Sequence, residues 1–536
     1  MLDASSLRPR TGRRKILVSV RRKRVTDKAV EALATRPNIY KRDGTLVRVV
    51  RDDGEPCQGV KRDLDSPRID LLPLASLAEE LTEAAQFYGT KILDGKKVRM
   101  KVHPPTWVVA TAAARGTWPN IRRLRGVVEC PALRPDGSVL QDPGYDAATG
   151  LLYQPSTSYP RIPDSPTWED IERAREDLLE VVCDFPFSEP VHRAAWFAGM
   201  LTGFARHAYE GFTPFFLVDG NVRGSGKSKL VDCAALISTG RSAARTTQAS
   251  KEEEEEKQIT SIALAGDPLI LIDNIRHPFG SGKFDAALTG EAWKGRLLAT
   301  NIMPRLKIVS VFWGTGNNVR FAPGVDTERR TLKIRIESTE ENPEKRQAFR
   351  HPDLLAWVRE NRGRLAAAAL TILSAYVRQG KADQLQLKNW GSFEQWSALV
   401  RSCVVWVGLP DPYGAYEAMT EASDSTASAV EDLVEGWAEL CKENSEEACT
   451  AQQAVQYLDE DLQYRALHPS HRLRYERLRA ALNELMRLRH DRLPASRDLG
   501  LLLRSHNGRV VKGKRLRPMP RKAAGVPWTV ENLEKR

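Results

Sequence analysis

The sequence predicts an α/β protein: a core of parallel strands, preceded by a mixed α+β domain and followed by a helical region and a small basic winged helix. Three observations carry that expectation. An apolar strand, Phe215 to Val218, runs into a glycine-bearing loop that closes on Gly226-Lys227-Ser228. A second apolar run, Pro268-Leu269-Ile270-Leu271-Ile272, ends on Asp273. A third strand, Ile308 to Trp313, leads into Gly314-Thr315-Gly316-Asn317-Asn318. Short continuous apolar runs are what strands buried on both faces look like, and such strands belong to parallel sheets.

The first of these is a phosphate-binding loop. Backbone N–H groups must face phosphate oxygens with no side chain in the way, which Gly224 and Gly226, flanking Ser225 in the ATP-binding loop, allow, and the helix from Lys229 to Ser238 adds its positive end. Lys227 would reach the β- and γ-phosphates, and the Ser228 hydroxyl would bind Mg²⁺, so the expected ligands are ATP and Mg²⁺. One position departs from the pattern. Counting back from Gly226, the usual first glycine falls on Asn221, with Gly220 one place early. Either Asn221 takes the left-handed conformation, or the loop is one residue longer than usual. Gly280-Ser281-Gly282-Lys283 repeats the letters without the strand or the following hydroxyl, and reads as a basic loop.

Length and charge bound the rest. A chain of 536 residues with 41% hydrophobic content can bury about three domain cores. A net charge of +12 points to a polyanionic partner. The seven cysteines form no CxxC pair, which argues against a zinc ribbon or a disulfide framework and suits a reducing cytoplasm. The longest apolar stretch, Leu365 to Val377, is too short to span a bilayer, so no membrane partner is expected. Boundaries are expected at 1–165 for an N-terminal mixed α/β domain, for DNA binding or oligomerisation, 166–380 for the motor, 381–449 for a helical extension and 450–536 for a basic winged-helix-like domain. Tyr40 to Val49 should form a hairpin about Asp43-Gly44, and Gln154 to Pro163 reads as a linker.

Asp273 is the expected metal carboxylate, delivered by a buried strand beside the phosphate loop. Asn274 follows it where an acid commonly polarises the attacking water, and an amide can orient water but cannot take its proton. The acid run Glu252 to Glu256 reads as a solvated helix face, with one carboxylate free to turn inward. At the tip of the third strand an amide would contact the γ-phosphate and the lytic water: Asn318 is favoured and Asn317 is kept open. Arg329 and Arg330 are candidates for an arginine finger reaching a neighbouring subunit.

This ordered set resembles the AAA+ helicase module of phage and mobile-element replication proteins, the primase/helicases. Gly391 to Trp396 and Gly408 to Pro412 resemble segments that follow the motor in that family, and Pro131 to Tyr153 is similar to the region before it. The resemblance implies an AAA+ P-loop core, a homo-oligomeric ring, a hexamer, with ATP at subunit interfaces and single-stranded DNA in the pore. Residues 1–165 carry no zinc module or acidic pair suited to priming, so the chain looks like the helicase part alone, with a separate primase as a possible partner.

Positive charge marks two DNA-binding candidates. Between the second and third strands lie Lys294, Arg296, Arg305 and Lys307, where ring helicases project a hairpin into the pore. Near the C-terminus, Arg509, Lys512, Lys514 and Arg515 read as a wing for duplex DNA. The expected activity is ATP-driven DNA unwinding in the cytoplasm. The alternative is an ATP-dependent initiator or regulator that binds DNA without unwinding it, which Asn274 favours; a packaging ATPase is disfavoured because no carboxylate cluster follows the motor.

Overall fold

The computed structural model describes residues 13–533, apart from 277, 296–304, 323, 341–342, 381–386, 469–471, 487, 489–491 and 522–524. The chain folds as two compact units, Met1–Tyr416 and Glu417–Arg536.

The first unit is organised by five parallel strands: β1 (Phe215–Gly220), β2 (Ala244–Thr247), β3 (Leu269–Ile275), β4 (Val311–Asn317) and β5 (Thr331–Ile336). Their order in the sheet is β2-β3-β4-β1-β5. The loop strand and the Asp273 strand are therefore separated by β4, whose carboxyl end lies between theirs, where ligands of open α/β sheets bind. Helices α1 (Pro190–Ala205), α2 (Lys227–Thr239), α3 (Glu252–Ala265) and α4 (Leu354–Arg378) accompany the sheet. Phe216, Val218, Leu271 and Trp313 share one core cluster with Trp196, Leu230 and Leu370. A hydrogen bond of 2.9 Å from the Trp196 indole to the Leu230 carbonyl pins α1 to α2.

Several expectations shift here. The third strand begins at Val311, not Ile308, and runs on to Asn317, so Thr315 and Asn317 are strand residues on the same face. The Gly280 to Lys283 segment is no open loop: Ser281 caps the helix Gly282–Thr289 by accepting from the Phe284 N–H at 2.9 Å. The acid run opens α3, and its end turns inward. Glu255 accepts from Ser281 Oγ at 2.6 Å and Glu256 pairs with Lys283. Burial pushes the Glu255 carboxyl up from its ordinary value, while the Ser281 hydrogen bond pulls the other way.

The expected divisions at 165/166 and 380/381 both fall inside this unit. Cys130, Leu133, Val139 and Ile162 bury in the motor's core cluster, as do Trp390, Phe393 and Trp396. The segment read as a linker is mostly exposed but anchored at two points, the buried Ile162 and Tyr159, whose Oη lies 2.8 Å from Cys130 Sγ. Arg401, fully buried, forms a bidentate pair of 2.7 Å contacts with Asp411. Upstream, the hairpin about Asp43-Gly44 forms as expected, with both turn residues at positive φ (46° and 79°). Arg42 donates to the carbonyls of Ala263 and Leu264 at the end of α3, and Arg62 clasps Asp267 through contacts of 2.6 and 2.7 Å. A second N-terminal sheet joins strands Arg14–Leu17, Ala85–Leu93 and Lys96–Val102.

The second unit holds most of helix Tyr413–Glu443, then the short strand Cys449–Thr450, helices Ala451–Leu467, Glu476–Met486 and Ser496–Ser505, and strands Val510–Val511, Lys514–Pro518 and Pro527–Asn532. The strands form one antiparallel sheet, with Pro527–Asn532 between Cys449–Thr450 and Lys514–Pro518. Trp528 closes the core, and its carbonyl accepts from the Trp437 indole at 3.0 Å. Among the described residues no helix is long and apolar enough to cross a membrane.

Candidate nucleotide-binding site

The loop between β1 and α2 is shaped by its glycines. Gly224 and Gly226 sit at positive φ (76° and 84°), and Gly226 caps α2, leaving the first N–H groups of the helix facing the loop. A Cβ on Gly220 would lie 3.0 Å from Lys227 Nζ and 3.2 Å from Ser225 Oγ, so any side chain there would press on the lysine. Asn221 is absent from the left-handed region, which removes that account of the missing glycine. Its side chain instead bridges to the chain after β5: Nδ2 donates to the Ser338 carbonyl at 2.8 Å, and Oδ1 accepts from the Ser338 N–H at 3.1 Å. A glycine there could not make this tie.

Lys227 folds back on its own loop, donating to the Val222 carbonyl at 2.8 Å and Ser225 Oγ at 3.0 Å. Burial lowers its pKa, with Asp219 acting in the opposite direction. Ser228 Oγ donates to Asp273 Oδ1 at 2.8 Å, so the hydroxyl and the carboxylate converge as read from the sequence. Thr315 Oγ1 donates to the same oxygen at 2.6 Å and accepts from the Asn274 N–H at 3.0 Å. The other carboxylate oxygen accepts from Arg245 Nη1 at 2.8 Å, and Arg245 also pairs with Asp232 on α2. Burial raises the Asp232 carboxyl, against the lowering effect of Arg245. These hard oxygen donors suit Mg²⁺.

Asn274 occupies an irregularity in the pairing of β3 with β4, between Ile272 and Ile275, and has φ of 58°. Asparagine tolerates that conformation better than most residues. With its amide oxygen turned to Arg276, it accepts from Nη2 at 2.9 Å and Nε at 3.2 Å.

The two strand-tip amides face different neighbours. Asn317 shares a face of β4 with Thr315, and its amide oxygen is buried without a hydrogen-bond partner. Asn318, at φ 48°, accepts from Arg335 Nη2 at 3.0 Å. Arg335 in turn pairs at 2.7 Å with Asp219, a fully buried carboxylate that also meets Lys333 at 2.9 Å. The favoured amide is thus held in its own subunit's ion network. The two arginines divide likewise: Arg330 is buried against Asp285 (3.1 Å) and Asp326 (3.1 Å), whereas Arg329 is half exposed and, among the described residues, pairs only with Asp326 (2.7 Å).

Trp293–Lys294 and Arg305–Leu306 pair antiparallel as the base of a hairpin, with Lys294 opposite Arg305. Trp293 and Leu306 are buried on one face, and Lys294 and Arg305 are exposed on the other. Arg296 lies outside the described residues. Lys307 is not free as expected: it pairs with Glu210, whose carboxyl burial would raise but whose bonds to Lys307 and Arg125 hold it at about 2. In the second unit Lys512 pairs with Glu431, Lys514 lies 3.7 Å from Glu435, and Arg515 lies 2.8 Å from Glu531, so three of the four expected wing cations meet acids that the fold brings to them. Arg509 is exposed.

Thr315, Arg245, Asp232 and Asp219 were not anticipated. Thr315 had a signal, since strand alternation puts it on the face of Asn317. Arg245 had none beyond an arginine on a short buried strand.

No family model matches the sequence, and no curated protein matches it. Among solved structures, the chain is similar to the A form apo structure of the NrS-1 C-terminal region, at 12% identity and TM-score 0.35 over 90% of this chain and 96% of that one. It is similar to SCCmec type IV Cch, described as an active helicase, at 11% identity and TM-score 0.30 over 93% and 98%. A JCV helicase structure matches at 12% identity and TM-score 0.20 over 46% and 74%.

Proposed function

We propose that the chain is an ATPase that drives DNA unwinding as a ring oligomer in the replication of a phage or other mobile element. The observation that carries the ATPase reading is the 2.8 Å contact between Ser228 Oγ and Asp273 Oδ1, beside Lys227 and at the carboxyl ends of the central strands. Ser228 and Asp273 would hold Mg²⁺, which when bound neutralises charge on the phosphates. Lys227 would leave the Val222 carbonyl for the β- and γ-phosphates, and the glycine-framed N–H groups would bind the rest. Asn317, with its unpartnered amide oxygen on the Thr315 face, is the better placed of the two amides to orient the attacking water. Arg329 is the finger candidate, and Arg330 braces the segment that carries it.

DNA binding is supported by the basic base of the hairpin between β3 and β4 and by the winged-helix-like order of the second unit. Ring assembly and the replication role rest on the sequence resemblance. ATP hydrolysis measured with and without single-stranded DNA tests the reading: it should be DNA-stimulated in the wild type and abolished in Lys227→Ala. Arg329→Ala should be inactive alone and partly rescued by mixing with Lys227→Ala subunits; absence of rescue would contradict a shared site. A second reading is favoured by Asn274, engaged by Arg276 where an acid is usual: an initiator or regulator that binds ATP and DNA without unwinding.

A further inference from the structure

The hairpin Ala85–Leu93 and Lys96–Val102 stands apart from the rest of the N-terminal region. Among the described residues, strand Arg14–Leu17 pairs with Ala85 to Tyr88 and no third strand pairs with the hairpin beyond Tyr88. Every residue from Lys96 to Val102 is exposed. The turn, Asp94-Gly95, has both residues at positive φ (48° and 74°), the tight geometry that matches strand twist. Five paired residues, Gly89 to Leu93, give an arm about 17 Å long at ~3.3 Å per residue.

Its two faces differ in kind. Directly paired residues share a face. One face carries Lys97, Arg99 and Lys101, opposite Ile92, Thr90 and Tyr88. The other carries Val98, Met100 and Val102, with Lys91 and Lys96 near the turn. From Lys91 to Lys101 there are five cations and one acid, Asp94. Among the described residues none of Lys91, Lys96, Lys97, Arg99 and Lys101 takes part in an ion pair, in contrast to Lys307, Lys512, Lys514 and Arg515. Alternate residues on a strand repeat every ~6.7 Å, so Lys97, Arg99 and Lys101 form a regular line of charge.

We propose that this arm binds the phosphate backbone of a nucleic acid along the Lys97-Arg99-Lys101 face. Unpaired, evenly spaced cations favour a regular polyanion. A second copy of this chain is disfavoured as the occupant of that face because the chain is itself at +12. A membrane is disfavoured because the tip, Asp94-Gly95 between Leu93 and Lys96, places a charge on each side of the glycine where insertion would need apolar residues. The inference goes beyond the motor: the arm would hold nucleic acid whether or not ATP is bound.

The test is a salt titration of a fluorescein-labelled 30-mer, single-stranded and as a duplex, without nucleotide. It is run on the full chain carrying Lys227→Ala, so that failure of the ATPase reading leaves it unaffected. Adding Lys97→Gln, Arg99→Gln and Lys101→Gln should weaken binding roughly tenfold and reduce the slope of log K against log salt by about 2 for the single strand, or about 2.7 for the duplex. The form with the larger loss identifies the natural ligand. The opposite-face pair Val98→Thr and Met100→Gln should leave both slopes unchanged. Because all five positions are exposed, thermal unfolding should be unaltered. An unchanged slope in the triple variant would overturn the proposal. So would loss of self-association in sedimentation, or loss of binding to phosphatidylserine vesicles, without loss of oligonucleotide binding.

Discussion

The phosphate loop and the C-terminal basic segment were read from the sequence with similar directness, yet the fold treats them differently. At the loop, Lys227, Ser228 and Asp273 come together at the carboxyl ends of the central strands of one sheet, and Ser228 meets Asp273 at 2.8 Å. At the C-terminal sheet, the cations of Lys512, Lys514 and Arg515 meet Glu431, Glu435 and Glu531. A phosphate loop is local: a strand, a bend and a helix start fix its geometry within a few residues. A charge patch is a sum over everything the fold brings near it, and Glu431 and Glu435 arrive from a helix some eighty residues upstream.

Substitutions can break or sharpen this contrast. The largest effect is expected at Asp273: Asp273→Ala should lower Mg²⁺-dependent ATP turnover on the order of 1000-fold in steady-state assays. If Arg330 braces its own subunit, Arg330→Ala should lose about 2 kcal/mol in urea unfolding, because the buried Asp285 loses its cation and keeps only the hydrogen bonds from the Asp326 N–H and the Thr327 hydroxyl. Arg329→Ala should change stability by less than about 0.5 kcal/mol while losing turnover. Of the amides, Asn317→Ala should slow ATP hydrolysis roughly tenfold with little change in nucleotide affinity. Asn318→Ala should cost about 1 kcal/mol of stability through its bond to Arg335 and leave turnover within about twofold. Equal effects on turnover would dissolve that distinction. The smallest effect belongs to the C-terminal sheet. Glu431→Gln with Glu435→Gln should free Lys512 and Lys514 and raise duplex affinity about fivefold at low salt, shrinking as salt rises.

The central sheet was legible because its strands are continuous apolar runs, and Asp273 was placed beside Ser228 because an acid ends such a run, whereas the place of β4 between their strands emerged only from the fold. The third strand was placed three residues early because Gly314 to Asn317 looked like a turn, whereas pairing with β1 and β3 carries the strand through them. That shift changes which amide shares a face with Thr315. Asn221 looked like a defect in a glycine pattern and proved to be a tie to Ser338, a partner 117 positions away that no local pattern reveals. The Gln154 to Pro163 segment has a linker's composition and is largely exposed, yet Tyr159 and Ile162 anchor it to the motor's core cluster. The arm at Lys97, Arg99 and Lys101 went unread in the sequence, because its isolation from acids is a property of the fold.

The most direct test of the central claim is strand displacement from a forked DNA duplex, followed in real time with wild type and Lys227→Ala. The account predicts ATP- and Mg²⁺-dependent displacement by the wild type and none by the variant. DNA-stimulated ATP hydrolysis by the wild type without any strand displacement would contradict it.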